Sequence, residues 1–367
     1  MLLANCLFVV QIFSLKKIAM RVVFQDPSLQ QIFDEKGYVQ VPFLSPAEVA
    51  HLKNAYFATL DQRGGGITHD EVDTVAMKER ITYDFTFIDK NVGYKQLVFD
   101  LITTTFGPHA EKILDNYTPL IANFIRKTEA DGEVPLHQNW AFVDETAGTS
   151  ITIWVPLMDS NEHNGTLQMV DKSHKKFGQT RGPLVPWELD HIKEAIISKH
   201  LTPMNVKAGN AIILDDSIIH YSNINQTAGL RLAIQLILIP QEFPSIHYHF
   251  PPGNPRRDAV HVWEVDRSFY TAFNPWKIPA GIPNLGKIAF REEYLDEATF
   301  VRRLQGSSFE DQKLTLLPLT EADLNPPNAS PAPAAAVLPN SGKASFWKTY
   351  TPRRIFAEVK HRLGLGA

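Results

Sequence analysis

Cysteine is almost absent from this chain of 367 residues. Cys6 is the only one, so the chain cannot form an internal disulfide, and a disulfide framework or a dithiol redox site is excluded. Such low cysteine use is typical of proteins in a reducing compartment. We therefore expect a cytoplasmic protein.

An excess of positive charge is missing as well. The chain has 36 Lys and Arg against 40 Asp and Glu, which gives a formal net charge of -4. A protein with this balance has no basic field for a phosphate backbone, so we expect no nucleic-acid partner. Apolar residues make up 44% of the chain and charged residues 21%, which is typical of a globular protein with one large core.

The apolar N-terminal stretch lacks the features of a targeting segment. Residues 1–14, MLLANCLFVVQIFS, are too short to span a bilayer, and they lack the basic start and the small-residue cleavage site of a signal peptide. Met20 opens a more usual protein start. We therefore predict that residues 1–20 are an extension outside the folded domain, which disfavours the alternative of a membrane anchor.

We expect one folded domain over residues 21–325, followed by a linker and a tail. Residues 326–342 begin with PPNASPAPAAAVLP, which has five prolines and no charge and is typical of a stiff linker. Residues 343–367 have six Lys and Arg against one Glu, and their apolar residues fall on one helical face. This pattern predicts a basic amphipathic tail that either contacts a membrane surface or is loosely ordered.

The first part of the domain is expected to contain a strand and a helix. GYVQVPFL (37–44) alternates like a strand, and Ser45-Pro46-Ala47-Glu48 supplies the N-cap, the N1 proline and the capping-box glutamate of a helix. Residues 61–81 contain three consecutive glycines and many charges. They predict a loop that leads into a further helix.

From residue 134 onward the sequence consists of short apolar runs separated by turn signals. The runs include VPLHQNWAFV, SITIWVPLM, NAIILDD and RLAIQLILIP, and Asn164-Gly165 is one of the turns. This spacing predicts a mainly β fold with flanking helices, in which a short helix within residues 183–200 covers a jelly-roll core. Residues 245–300 lose the strand period, and we expect the segment 245–325 to wrap around this core.

Two histidines and an arginine in the β region form a candidate site. Asn139 follows His137 at the spacing that shares one strand face, and His220 ends a later strand that a closed barrel can bring beside the first. Arg231 begins the apolar strand RLAIQLILIP, and a buried guanidinium needs an anion. A dicarboxylate would satisfy that need through a bidentate contact.

These segments resemble the phytanoyl-CoA dioxygenase family of iron(II)- and 2-oxoglutarate-dependent oxygenases. The similarity runs from about residue 30 to 245, in the pieces GYVQVPFLSPAEVAHL, VPLHQNWAFVDE, ITIWVPLMDSNEHNGTLQMVDKSHK, ILDDSIIHYSN and GLRLAIQ. The resemblance implies a double-stranded β-helix, which is a cupin-like jelly roll. It also implies iron(II) and 2-oxoglutarate as cofactors, with dioxygen as co-substrate.

The resemblance assigns roles to particular residues. His137, Asn139 and His220 stand at the metal-binding positions of the family, and Arg231 stands where an arginine pairs with the far carboxylate of 2-oxoglutarate. Three more residues are expected to contact the co-substrate. Ser222 would contact the same carboxylate, Trp154 would pack on the co-substrate, and Asn123 would contact its other end.

Asn139 departs from the family pattern, which has Asp at this position. An amide lacks the negative charge of a 2-His-1-carboxylate site, so we expect a His-Asn-His triad that binds iron more weakly. Asp144 is about 16 Å from Asn139 along an extended strand, and Glu133 is about 13 Å from His137 on the same measure. Both are too far away to replace the missing carboxylate.

Other histidines are weaker candidates. His69-Asp70-Glu71 has a His-x-acid spacing, but it lies in a charged segment after three glycines and not on a core strand. Four more fall in a loop, after a strand or in the C-terminal extension, where surface or packing roles are expected: His163, His174, His247 and His249.

We therefore expect an enzyme, a 2-oxoglutarate-dependent dioxygenase that hydroxylates or oxidises a small organic substrate. Asn139 leaves two alternatives open. One is a metal-poor, non-catalytic relative that binds a ligand in the barrel, and the other is a halogenase-like variant in which the missing carboxylate frees a position for chloride. The substrate does not follow from the sequence, because one barrel fold supports many activities.

Overall fold

The computed structural model of the chain describes residues 21–65, 84–250, 258–274, 281–306 and 315–320. The expected N-terminal extension, the proline-rich linker, the basic tail and most of the charged segment before residue 84 lie outside these ranges. Within the described ranges, no helix combines the length and the apolar character needed to cross a membrane.

A helix, a strand and a second helix open the described chain. α1 (Pro27–Lys36) ends at Gly37, whose φ of 85° is left-handed. β1 (Tyr38–Pro42) follows, and α2 (Pro46–Ala58) then begins with a capping box at Ser45. The predicted strand and the predicted helix start are both confirmed, because the capping signals act locally and need no tertiary context.

The major sheet is antiparallel and contains β1 and five further strands. These are β2 (Asp84–Phe85), β3 (Tyr117–Lys127), β5 (Ile151–Pro156), β8 (Asn210–Asp215) and β10 (Arg231–Pro240). Their order across the sheet is β1-β8-β5-β10-β3-β2. The central strands are buried on both faces, so their sequences are continuous apolar runs.

A long helix, α3 (Val92–Ile113), packs on the outer face of the major sheet. Its buried apolar side chains recur every four residues: Tyr94, Val98, Ile102, Phe106 and Ala110. They share one core cluster with Ile153, Ile213 and Ile234 of the sheet. This apolar stripe holds the helix in place.

The minor sheet lies against the inner face of the major sheet. Its strands are β4 (Val134–His137), β6 (Gln168–Met169), β7 (Thr202–Pro203) and β9 (His220–Ser222), in the order β4-β9-β6-β7. Trp154 and Ile212 of the major sheet pack in one cluster with Met169 of the minor sheet. Two facing antiparallel sheets form the double-stranded β-helix core, so the predicted fold class is confirmed.

Two short helices cover the outer face of the minor sheet. They are α4 (Lys193–Lys199) and α6 (Glu297–Gln305), and their Ile196 and Phe300 pack with Leu136 and Ile219. The predicted covering helix is therefore present but occupies only the end of its predicted range.

A third sheet follows the core, where the sequence shows no strand period. It consists of β11 (Ser245–His249), β12 (Ala259–Val265) and β13 (Asn284–Ala289), in that order, with α5 (Arg267–Thr271) between the last two. Every residue of β11 is buried, although three of the five are Ser or His, so its sequence is not the continuous apolar run of the core strands. The residues after the core therefore contain a sheet that the sequence does not indicate.

Phe106→Ala should lower the free energy of unfolding by about 3–5 kcal/mol, because it leaves a cavity where a fully buried ring meets Phe43 edge-on. Leu97→Ala on the exposed side of α3 is the matched control and should change that free energy by about 0.5 kcal/mol or less. Denaturant unfolding followed by circular dichroism measures both. Equal losses in the two variants would contradict this packing of α3.

Candidate functional site

His137 and His220 lie side by side between the two sheets. The antiparallel register of β4 and β9 places them directly opposite each other. Opposite residues on neighbouring strands point to the same face, and the centres of the two imidazole rings are 4.2 Å apart. The two histidines singled out by the sequence therefore meet in the fold.

Each imidazole has one nitrogen fixed by a backbone carbonyl. His137 Nδ1 lies 2.7 Å from Pro135 O, and His220 Nδ1 lies 3.0 Å from Ile218 O. A carbonyl only accepts, so Nδ1 carries the hydrogen and Nε2 keeps its lone pair. Burial, and then the neighbouring His137, lower the pKa of His220 to about 3, and burial also lowers the pKa of His137. Both rings are neutral, which is the metal-binding form.

Asn139 is buried just beyond the end of β4. Its Nδ2 donates to Thr152 Oγ1 at 3.1 Å and to Asp216 Oδ1 at 2.8 Å. The Asn139 side chain also lies beside the His137 ring. Since both Nδ2 hydrogens are used elsewhere, Oδ1 is the atom left to act as a ligand. Because β4 ends at His137, hydrogen bonds and not strand alternation position the Asn139 side chain.

A buried ion pair holds the backbone at Asn139. The Arg181 guanidinium contacts both carboxylate oxygens of Glu145, at 2.7 and 2.6 Å, and its Nε donates to the Asn139 carbonyl at 2.7 Å. The neighbouring Gln138 side chain is hydrogen-bonded at both ends of its amide. The segment that carries the candidate ligands is therefore fixed on both sides.

The donor set at this point is two imidazole nitrogens and one amide oxygen. No group of three or more His, Cys, Asp or Glu side chains is placed to hold a metal in the described part of the chain. Asp144 and Glu133 accept hydrogen bonds elsewhere, from Thr146 and Tyr221. Neutral imidazoles suit iron(II), and an amide oxygen can complete the set without adding charge. The residues fit a metal cation that also takes an anionic ligand.

Arg231 is a buried cation at the start of β10, and no carboxylate of the described residues pairs with it. Its Nη2 donates to Gly165 O at 2.8 Å and to Ser222 Oγ at 3.3 Å, whereas Nε and Nη1 have no acceptor. Its guanidinium carbon lies 5.6 Å from the centre of the Trp154 ring. Burial lowers the pKa of Arg231 to about 9, so the side chain remains charged at neutral pH.

Ser222 lies beside Arg231, as the resemblance implies. Its hydroxyl donates to the Gly165 carbonyl at 2.8 Å, so Ser222 and Arg231 share one acceptor. Gly165 has a φ of 75°, and an added Cβ would lie 2.4 Å from Asn223 O. The turn predicted at this glycine is confirmed, and its carbonyl lies beside Arg231.

Lys127 is a second buried cation in the same place, and the sequence analysis missed it. It lies directly opposite Arg231 in the β3–β10 register. Its Nζ donates to the Ser222 hydroxyl and to the carbonyls of Ser222 and Asn223. Burial, and then the Arg231 charge, hold the pKa of Lys127 well below its usual value. Its signal in the sequence is a lysine that ends the apolar strand LIANFIRK.

Asn123 lies on the same inner face, farther along β3. Its Nδ2 donates to Gln235 at 3.1 Å, and its buried Oδ1 has no partner. It is four residues from Lys127, which is about 13 Å along a strand. Asn123 and Lys95 line one small cleft. Asn123 therefore lies apart from Arg231, with an acceptor that no described residue uses.

The weaker histidine candidates lie elsewhere. His69-Asp70-Glu71 is outside the described residues. His163 is in a single turn of 3-10 helix, and His174 contacts the carbonyl of Asp34. His247 and His249 are on β11 of the third sheet.

Family comparison agrees with the resemblance seen in the sequence. A model described as phytanoyl-CoA dioxygenase (PhyH) matches residues 33–233, which is just over half of the chain. The chain belongs to the phytanoyl-CoA dioxygenase family. Every candidate site residue from Asn123 to Arg231 falls inside the matched range.

Individual relatives are similar to part of the chain. The phytanoyl-CoA dioxygenase domain-containing protein 1 homolog of Dictyostelium discoideum is 29% identical over 155 residues, which are 40% of this chain and 53% of that protein. Phytanoyl-CoA dioxygenase 1 of Oryza sativa subsp. japonica is 29% identical over 114 residues, which are 30% of this chain and 40% of that protein. The chain thus spans about half the length of the curated relatives it matches.

Solved structures are also similar to this family member. One is the crystal structure of the epimerase SnoN in complex with Fe3+, alpha ketoglutarate and nogalamycin RO. It is 20% identical with a TM-score of 0.43, and the similarity covers 64% of this chain and 90% of that one.

Glu145→Gln should lower the free energy of unfolding by about 3–5 kcal/mol, because it leaves the buried Arg181 charge without its carboxylate partner. Glu297→Gln breaks the exposed contact with Lys199 and should cost at most about 1 kcal/mol. Thermal and denaturant unfolding of the two variants test this. A small loss for Glu145→Gln would mean that the pair does not hold the Asn139 segment.

Lys95→Met should change how stability depends on pH. Lys95 Nζ donates to Phe87 O, and burial lowers the pKa of Lys95 to about 8 from an ordinary 10.5. Between these values the unfolded chain binds more protons, so the free energy of unfolding rises with pH. The natural protein should therefore gain stability relative to Lys95→Met from pH 8 to 10.5, and below pH 8 the difference should be constant. Exposed Lys90→Met is the control, and the same slope in both variants would refute the assignment.

Proposed function

We propose that this protein is an iron(II)- and 2-oxoglutarate-dependent dioxygenase that hydroxylates or oxidises a small organic substrate. One observation carries the proposal: two neutral histidines with free Nε2 lone pairs, His220 buried and His137 partly buried, lie in the same inter-sheet space as a buried, unpaired Arg231. A metal needs the first feature, and an anionic co-substrate needs the second. Family membership supports the same activity.

His137 and His220 would hold the metal through Nε2, and Asn139 would hold it through Oδ1. When bound, iron(II) with 2-oxoglutarate supplies the activation of dioxygen and the oxidation of a substrate C–H bond. The chain's own share is to fix three donors and leave the remaining positions open. The carbonyls of Pro135 and Ile218 contribute by fixing the tautomers of the two rings.

Arg231 would bind the far carboxylate of the co-substrate. Its Nε and Nη1 are the two donors that lack acceptors, and a guanidinium matches a carboxylate in a bidentate contact. Lys127 adds a second positive charge beside it and holds Ser222 by a hydrogen bond. Trp154, which is 3% exposed, would exclude water and pack on the bound molecule.

A second candidate function is non-catalytic ligand binding in the same barrel. It is favoured by Asn139, because an amide gives the metal no negative charge. In that case Arg231 and Lys127 would still bind an anion, but iron would bind poorly or not at all. The two functions make different predictions for a metal-dependent spectrum.

The protein with iron(II) and 2-oxoglutarate, mixed without oxygen, should show the visible metal-to-ligand absorption band of a chelated 2-oxo acid. His220→Ala should abolish the band because it removes one of three donors. Arg231→Met should weaken 2-oxoglutarate binding. It should also remove the ligand's stabilisation, which is about 2.7 kcal/mol at 100 times the Kd and is seen as a rise in thermal midpoint. Exposed Arg291→Met is the control and should behave like the natural protein.

Each outcome favours one function. No band at saturating ligand, together with a retained thermal shift from 2-oxoglutarate, would support non-catalytic ligand binding over the oxygenase. A full thermal shift in Arg231→Met would refute the role of Arg231 in either function.

A further inference from the structure

Asp216 is a buried carboxylate behind the candidate metal ligands. It lies between β8 and β9, four positions before His220, and is completely buried. Its Oδ1 accepts from Asn139 Nδ2 at 2.8 Å and from Thr152 Oγ1 at 2.6 Å. Neither donor is a cation. The carboxylate therefore accepts hydrogen bonds from a neutral amide and a neutral hydroxyl.

This contact determines which way the Asn139 amide points. Thr152 donates its only hydrogen to Asp216, so its oxygen can accept from Asn139. The three side chains thus form a closed triangle in which every hydrogen has an acceptor. Turning the amide over would set Asn139 Oδ1 against the Asp216 carboxylate, where two acceptors would meet without a hydrogen.

The same contact also affects the charge on the amide oxygen. A carboxylate that accepts from an amide N–H draws the amide's electrons toward oxygen, and hydrogen bonds to charged groups are stronger than neutral ones. Residues that orient a metal ligand in this way also tune its basicity. Oδ1 of Asn139 would therefore be a better donor with Asp216 behind it than an isolated amide.

We propose that Asp216 is a positioning residue for the metal site, which holds the Asn139 amide by its Nδ2 and so leaves Oδ1 free to bind the metal. This inference rests on the proposed function, because it assumes that Asn139 is a ligand. It deepens that function by naming the residue that orients the amide.

The arrangement has a consequence for restoring the family's aspartate. Asn139→Asp alone would set two carboxylates within hydrogen-bond distance inside the core, and such a pair shares a proton because both cannot ionise freely. The charge gained at position 139 would be largely lost at position 216. The exchange Asn139→Asp with Asp216→Asn reverses the hydrogen bond instead, since the new amide donates to the new carboxylate.

The experiment is a double-mutant cycle on metal affinity, with cobalt(II) alone as the probe. Natural protein, Asn139→Asp, Asp216→Asn and the exchange variant are titrated without 2-oxoglutarate, by calorimetry and by the cobalt d–d absorption. We expect Asp216→Asn to weaken binding by about 10- to 100-fold, as for other residues that orient metal ligands. Asn139→Asp should gain little, and the exchange variant should bind at least as tightly as the natural protein.

Asp215→Asn is the matched control. Asp215 is the adjacent buried acid, but its Oδ1 accepts from Ser217 and not from Asn139. The cobalt affinity of Asp215→Asn should fall less than that of Asp216→Asn, because Asp215 makes no hydrogen bond to Asn139. Thermal midpoints of all variants report whether each is folded. If Asp216→Asn does not fold, the comparison of Asn139→Asp with the exchange variant tests the same coupling.

The outcomes separate this inference from the proposed function. Cobalt binding by the natural protein with no loss in Asp216→Asn, or with effects that simply add in the exchange variant, would overturn the role of Asp216 and leave the metal site standing. No cobalt binding by the natural protein would overturn both. Rescue in the exchange variant supports the role of Asp216, because a purely structural defect at position 216 would not be repaired by a charge at position 139.

Discussion

The antiparallel pairing of β4 with β9 is the contact on which the site depends. It brings His137 opposite His220 and turns both side chains toward the major sheet. A shift of one residue would send one imidazole to the outer face, among Leu136, Ile219 and the covering helices. The register is fixed because those outer positions are apolar and buried. Packing on the outside of the minor sheet thus keeps two polar rings on its inside.

Two cations at the start of β10 and the end of β3 impose a second constraint. Arg231 and Lys127 face each other across one strand pair, and the Arg231 charge lowers the stability of the charged form of Lys127. Burying such charges costs several kcal/mol per ion unless acceptors surround them. Carbonyls and Ser222 satisfy Lys127 through three contacts, but they satisfy Arg231 through Nη2 alone. The fold therefore carries a cost here that an anion would relieve.

The sequence predicts the parts of this structure that depend on local signals. The capping box at Ser45 and the apolar runs of the core strands need no knowledge of distant contacts. The third sheet was missed because β11 is buried throughout yet contains a serine and two histidines, so it lacks the apolar run that marks the core strands. Lys127 and Asp216 were missed for a different reason. The role of each depends on side chains that are distant in sequence. Lys127 contacts Ser222, and Asp216 contacts Asn139 and Thr152. Spacing along the chain does not reveal these pairs.

Asn139 illustrates how far a single position can mislead. From the sequence, an amide in place of a carboxylate removes one negative charge from the candidate site. In the fold, a buried carboxylate lies one hydrogen bond away from that amide. The electrostatic field at the histidine pair depends on both groups, because charges in a buried site are screened far less than charges in water. The charge of such a site is therefore a property of the whole hydrogen-bonded set and not of the direct ligands alone.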